Sequence, residues 1–287
     1  MGKVGLIMEG GGMRCAYGAA LLDKFLDDGI SFNYAIGVSA GAGCLVSYLG
    51  GQRDRNFRFY SIHLNDPDYF GARCFLRNGS FFNLSHIYHD MIIHDGVDPL
   101  NYRNIMDNPC ELEMVTTNAH HGTAEYLTKD DLAQDDYWAL MASCAIPIVC
   151  KPTSHNGRIY YDGGVVDSIP VARALFKGCD KLVVLLSKSR DYKMTSQKYP
   201  LLYHMLLHRY PLVAKALDKR HLVYEASRSK CFELEKKGQA FLFTPSHDPG
   251  VTPYTKNATL LKEFYEIGLQ DYDNRKEMLL QFLNTSL

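Results

Sequence analysis

The stretch Gly37-Val38-Ser39-Ala40-Gly41 constrains this chain more than any other. It follows a short apolar run, Tyr34 to Ile36, and leads into Ala42 to Leu49, which reads as a helix. A G-x-S-x-G between a strand and a helix is the nucleophile-elbow pattern. The serine occupies a strained turn with its hydroxyl presented, and the flanking glycines, Gly37 and Gly41, keep Cβ atoms out of the bend. The helix that follows aims its N-terminal N–H groups at the place where an oxyanion would form. The plainer alternative is a glycine-rich strand-to-helix turn with an idle serine.

The preceding segment repeats the strand-loop-helix order. Val4 to Met8 reads as a buried strand, Gly10-Gly11-Gly12 follows, and a helix runs from about Arg14 to Asp28 with Gly29 as its cap. Strand, helix, strand, helix with short connections predicts a parallel sheet covered on both faces. The glycine loop fails as a dinucleotide site, because Cys15 stands at the last position of G-x-G-x-x-G, and it fails as a P-loop for want of G-K-[ST]. It reads better as an oxyanion hole, where bare backbone lets N–H groups reach a substrate oxygen; one such donor contributes roughly 2.7–4 kcal/mol.

From Gln52 to Pro109 short helices and loops are expected beside the sheet. Glu111 to Thr117 and Thr123 to Thr128 read as a hairpin across His120-His121-Gly122. Asp130 or Asp131 is placed to cap a helix running to about Cys144, ahead of Pro147. Arg158 to Tyr161 reads as a strand entering Asp162-Gly163-Gly164, which puts an aspartate at a strand's C-terminal end, where α/β sheets build sites. A short helix after Pro170 and strands at Lys181 to Leu186 and Ala240 to Phe243 follow, with a helix from about Leu260 to Leu283. Tyr199 to Leu217, apolar and aromatic with basic residues between and a break at Pro211, reads as core or as a lid or lipid-docking surface. One domain over 1–287 is expected, its C-terminal helical part beginning near 190.

Composition removes several function classes. The 287 residues are 46% hydrophobic and 22% charged, as in ordinary soluble globular proteins. A net charge of −1 offers no basic excess for nucleic acid. Eight cysteines without a C-x-x-C pair argue for a reducing compartment, and against a disulfide framework or zinc ribbon. The N-terminus lacks a signal-peptide layout, and Leu6 stands where myristoylation wants Ser or Thr. No apolar run reaches about 18 residues, so a cytoplasmic protein is expected. His86, His89 and His94 carry no H-E-x-x-H, and no metal site is predicted. A triad histidine, if used, would be His204, His208, His221 or His247 by chain order.

Glu9-Gly10-Gly11-Gly12-Met13-Arg14, Gly37-Val38-Ser39-Ala40-Gly41 and Asp162-Gly163-Gly164 together resemble the three signature blocks of the patatin-like phospholipases. Ala142-Ser143-Cys144-Ala145-Ile146-Pro147 is similar to the family's small-residue block before the aspartate, while Cys15 departs from the glycine that many members carry there. The resemblance implies a three-layer α/β/α sandwich around a mostly parallel sheet. It also implies a Ser39–Asp162 dyad without histidine, and an oxyanion hole of Gly10, Gly11 and Gly12 with Arg14 beside them. The expected activity is hydrolysis of lipid or lysophospholipid esters, with no cofactor and with possible peripheral membrane contact. Two rivals stand beside it: an esterase or thioesterase for small soluble esters, and a silent lipid-binding protein on the same fold.

Overall fold

The computed structural model describes residues 2–285. Eight strands and ten α-helices alternate along the described chain. They run β1 (Val4–Met8), α1 (Cys15–Asp27), β2 (Tyr34–Val38), α2 (Ala40–Leu49), α3 (Arg55–Tyr60), α4 (Ala72–Asn78) and α5 (Tyr102–Asp107). Next come β3 (Glu111–Asn118), β4 (Ala124–Thr128), α6 (Trp138–Cys144), β5 (Thr153–His155), β6 (Arg158–Asp162) and α7 (Val171–Phe176). The chain closes with β7 (Lys181–Leu185), α8 (Pro200–Leu206), α9 (Pro211–Lys236), β8 (Ala240–Phe243) and α10 (Ala258–Asn284).

The strands form one mixed sheet in the order β5-β6-β3-β2-β1-β7-β8, with β4 also on β3. From β3 to β8 the neighbours are parallel; β4 and β6 both run antiparallel to β3. Strands buried on both faces read as continuous apolar runs, which is why β1, β2 and β7 stand out in the sequence. Alternate residues feed two cores. Leu6, Met8, Val183, Leu185 and Phe243 pack under α1, α2 and α10. Ile7, Ile36, Val38, Val184 and Leu242 pack under α7 and α9. The result is the three-layer α/β/α arrangement.

The long C-terminal helices therefore belong to the two outer layers. Gly268 lets α10 lie close on α1: a Cβ there would come within 2.6 Å of the Tyr17 carbonyl oxygen. Tyr17 donates to Asp271 at 3.0 Å and Tyr265 to Asp23 at 2.7 Å across the same seam, so the buried carboxylates are satisfied.

Three expectations need correction. The helix expected from Asp130 or Asp131 begins only at Trp138. Thr128 closes a capping box over a single 3₁₀ turn, Lys129–Asp131, and a tight turn with Asp135 at φ 63° separates it from α6. Strand β6 ends at Asp162 but antiparallel to its neighbour β3, so that aspartate does not arrive with the parallel strands. Finally, residues 199–217 are neither wholly core nor a free-standing surface helix. Tyr203, Leu207, Val213 and Leu217 are buried with Tyr161 and Val165. Leu201 is 88% and Met205 63% exposed.

Candidate active site

Ser39 follows the last residue of β2 and holds φ 55°, ψ −133°, a conformation that costs a non-glycine residue about 1–3 kcal/mol. The surroundings enforce it. A Cβ on Gly37 would meet the Ala42 Cα at 2.6 Å, and one on Gly41 would meet the Met8 carbonyl oxygen at 2.7 Å. Both elbow glycines are thus required by close backbone approach. The Ser39 N–H donates to Ser143 Oγ at 2.9 Å, and that hydroxyl donates to the Val115 carbonyl at 2.7 Å. A single α6 side chain thereby pins the elbow to β3.

The same block places the aspartate. The Asp162 N–H donates to the Ala145 carbonyl at 2.9 Å. Register brings the two residues together. Residues 113–115 of β3 pair with both β2 and β4, so those strands lie on opposite edges. Thr116 and Thr117 pair with β4 and β6, which puts β6 on the edge that β2 has just left. Val38 is opposite Val115 and Asp162 opposite Thr116, so the C-terminal ends of β2 and β6 meet head on.

Asp162 is buried, and burial pushes its carboxyl up to about 6; the Ser39 hydroxyl, the Gly164 N–H and the Arg220 charge partly oppose that rise. The Gly164 N–H donates to Oδ1 at 2.7 Å. Gly163 and Gly164 are needed here, since a Cβ on Gly163 would lie 2.3 Å from the Val115 carbonyl oxygen and one on Gly164 3.0 Å from Asp162 Oδ1.

The glycine loop abuts the elbow. A Cβ on Gly10 would meet Ser39 Cβ at 3.0 Å, one on Gly11 Ser187 Oγ at 3.0 Å, and Gly12 adopts φ +55° against Pro253. The N–H groups of Gly10, Gly11 and Gly12 donate to no protein acceptor among the described residues. Arg14, expected beside them, is buried and turned to scaffolding. Its guanidinium donates to the Ser187 carbonyl at 2.6 and 2.8 Å, to Asp248 at 2.8 Å and to the Val251 carbonyl. It ties the loop to the segment after β7 and to the turn before α10. Cys15 opens α1 with its thiol toward the Glu9 carbonyl at 3.5 Å.

Two cavities share Ser39, Gly12 and Ile146 in their walls. One is lined chiefly by apolar and aromatic groups including Met13, Val46, Phe59, Tyr69, Phe82 and Leu140. The other is lined by Glu9, Gly10, Gly11, Asp162, Lys188, Arg220 and Tyr224 among others. Among the described residues no histidine lines either cavity. His204 instead meets Asp218 at 3.0 Å on the surface, and His208 stays within its own helix end at the Met205 carbonyl. His86 lies between Asp66 and Asp90, and His94 pairs with Asp135, so these histidines are dispersed on separate carboxylates.

Sequence reasoning missed Ser143, Ser187, Lys188, Arg220 and Tyr224. Ser143 at least lay inside a block already singled out; the other four carry no local signal, because only tertiary packing brings them to the loop.

The family model described as patatin-like phospholipase matches residues 6–175, and a second, described as a domain of unknown function (DUF6363), matches residues 210–284. The uncharacterised protein YjjU of Escherichia coli strain K12 is 27% identical over 211 residues, covering 68% of this chain. This chain spans only 55% of that relative's length. The crystal structure of VipD from Legionella pneumophila aligns with a TM-score of 0.45 at 11% identity, covering 96% of this chain and 67% of that one. With a family model spanning more than half of its residues, and the family's motifs gathered at one edge of one sheet, this chain belongs to the patatin-like phospholipase family.

Proposed function

We propose that the chain is a serine lipid acyl hydrolase of the phospholipase A or lysophospholipase type, working through a Ser39–Asp162 dyad. The observation that carries this reading is the meeting of Ser39, Asp162 and three unpartnered glycine N–H groups where an apolar and a polar cavity join. Ser39 Oγ attacks the ester carbonyl carbon while Asp162 takes its proton. The N–H groups of Gly10, Gly11 and Gly12 receive the oxyanion. Collapse expels the alkoxide, which takes the proton back from Asp162. Water then attacks the acyl-serine, losing a proton to Asp162; collapse releases the fatty acid, and Ser39 Oγ takes that proton back, which restores the dyad. Water is the sole co-reactant, and no cofactor enters the scheme.

The apolar cavity opens at Ser39 and is walled by aliphatic and aromatic side chains, so it is proposed to hold the acyl chain. Fatty-acid release from lysophospholipids of graded chain length tests this. Each methylene buried is worth about 0.8 kcal/mol, so kcat/KM should rise by up to about fourfold per added carbon until the cavity fills. A flat series with fast turnover of acetyl esters would favour the small-ester esterase instead.

No helix among the described residues is long and apolar enough to cross a membrane. Peripheral contact is proposed through α8 and its flanks, where Tyr199, Leu201 and Met205 are exposed, with Lys198, His208 and Arg209 beside the helix and Lys215 on α9. In co-sedimentation with anionic vesicles, a Leu201→Asp, Met205→Asp protein should remain in the supernatant while the parent pellets. Equal behaviour of the two would exclude α8 as the contact. All eight cysteines are buried and unpaired, which supports a reducing, cytoplasmic location.

A further inference from the structure

The polar cavity beside Ser39 contains two cations that no carboxylate closes in a direct ion pair; Glu9, Asp248 and Asp162 act on them only through space. Lys188, just after β7, makes no ion pair or hydrogen bond among the described residues, although it is mostly enclosed. Burial, with the neighbouring Arg14 charge, depresses its ammonium to about 8. The carboxylates that could serve it are engaged elsewhere. Glu9 accepts from the Ser187 N–H at 2.6 Å and from the Tyr224 hydroxyl at 3.0 Å, and burial raises its pKa. Asp248 is held by Arg14 at 2.8 Å.

Arg220 comes from α9. Its Nε donates to the Gly164 carbonyl at 2.5 Å, and its terminal nitrogens have no protein acceptor among the described residues. Leu217, Arg220 and Tyr224 are spaced by three and four residues, one helical face, and all three line this cavity. A partly buried cation without a direct partner is costly, and both cations line the cavity that Ser39 and Asp162 share. By contrast, Arg173 and Arg58 are each closed on a carboxylate, Glu113 and Asp98.

We propose that Lys188 and Arg220 form an anion-binding subsite beside Ser39, which takes a phosphate carried by the leaving alcohol of the ester. The C-terminal segment, through α9, thereby contributes to substrate selection and not only to covering the sheet. The proposal rests on the acyl-hydrolase reading for the word ester, but not for the anion itself. Guanidinium and ammonium groups suit a phosphate dianion or monoanion, one through a planar fork and the other as a compact charge.

Binding is read first, with Ser39→Ala protein and titration calorimetry, using sn-glycerol 3-phosphate, inorganic phosphate and glycerol as probes. Glycerol 3-phosphate should bind and glycerol should not. Lys188→Met and Arg220→Gln should each weaken that binding about tenfold or more, as expected for a lost charge-assisted hydrogen bond, with Lys188→Arg retaining most of it. The second readout is the ratio of kcat/KM for a lysophosphatidic acid to that for a monoacylglycerol of the same chain. It should fall about tenfold in Lys188→Met protein that melts at the parent temperature. Glycerol 3-phosphate binding that ignores both substitutions, or an unchanged ratio, overturns the subsite. Inorganic phosphate binding as tightly as glycerol 3-phosphate, with no preference between the two esters, assigns the cations to free phosphate and overturns the substrate claim. Charge-dependent glycerol 3-phosphate binding in a protein that cleaves no ester would retain the subsite and sink the hydrolase reading.

Discussion

Ser39→Ala should lower ester turnover by at least about 10⁴-fold and abolish labelling by a fluorophosphonate, with the wild-type label mapping to the peptide that contains Ser39. The size follows from the mechanism: without the hydroxyl no acyl-enzyme forms, and the glycine N–H groups are left to stabilise a direct attack by water. The substitution should not unfold the protein. The Ser39 backbone N–H, not its hydroxyl, holds the elbow to Ser143 at 2.9 Å, and alanine keeps that bond. Removing the hydroxyl while leaving φ at 55° retains the strain, so a small stability change measured by thermal melting separates chemistry from folding. Labelling at another residue, or a fully active Ser39→Ala protein, would overturn the nucleophile; a wild-type protein that is neither labelled nor active would return the silent lipid-binding protein as the better reading.

Asp162→Asn should reduce kcat by about 10³–10⁴-fold while leaving the fold in place, since an amide oxygen still accepts the Gly164 N–H now bonded to Oδ1. An amide has no basicity to accept the Ser39 proton. Single alanine replacements at His204, His208, His221 and His247 should retain most activity; a histidine change as damaging as Ser39→Ala in a folded protein would replace the dyad by a triad. The pH profile supplies a second test. Burial raises the Asp162 carboxyl to about 6, and the base must be deprotonated to act, so activity is lost as pH falls through that value. Wild-type kcat/KM should therefore fall about tenfold per unit below pH 6 and level off above it. The limb should vanish from the residual activity of Asp162→Asn. A wild-type profile flat down to pH 4.5 would place the proton acceptor elsewhere.

Much of this site was legible in the chain because its parts obey local rules. An elbow needs glycines where a Cβ would strike the next turn, and Gly37 and Gly41 occupy those positions. The proposed oxyanion site needs bare loop, and Gly10 to Gly12 provide one. Strands buried on both faces need unbroken apolar runs, and β1, β2 and β7 have them. Each of these requirements is satisfied within a window of a few residues, so residue order alone carries it.

What lay beyond such windows was decided by pairing between distant segments. Ser39 and Asp162 meet because β3 is longer than β2, and β6 enters antiparallel along the edge that β2 vacates. No local pattern states which edge a strand joins or in which direction. Arg14 reads in sequence as part of the oxyanion loop, yet a buried guanidinium must satisfy its donors, and Ser187, Asp248 and Val251 do so from far along the chain. Lys188 and Arg220 look like ordinary surface charges until β7 and α9 bring them to one cavity. The sequence by itself determined the parts of the proposed site, because turn sterics and strand burial are short-range. Tertiary structure alone decided which charges surround them, because the register of a sheet and the docking of a helix depend on contacts that no single segment contains.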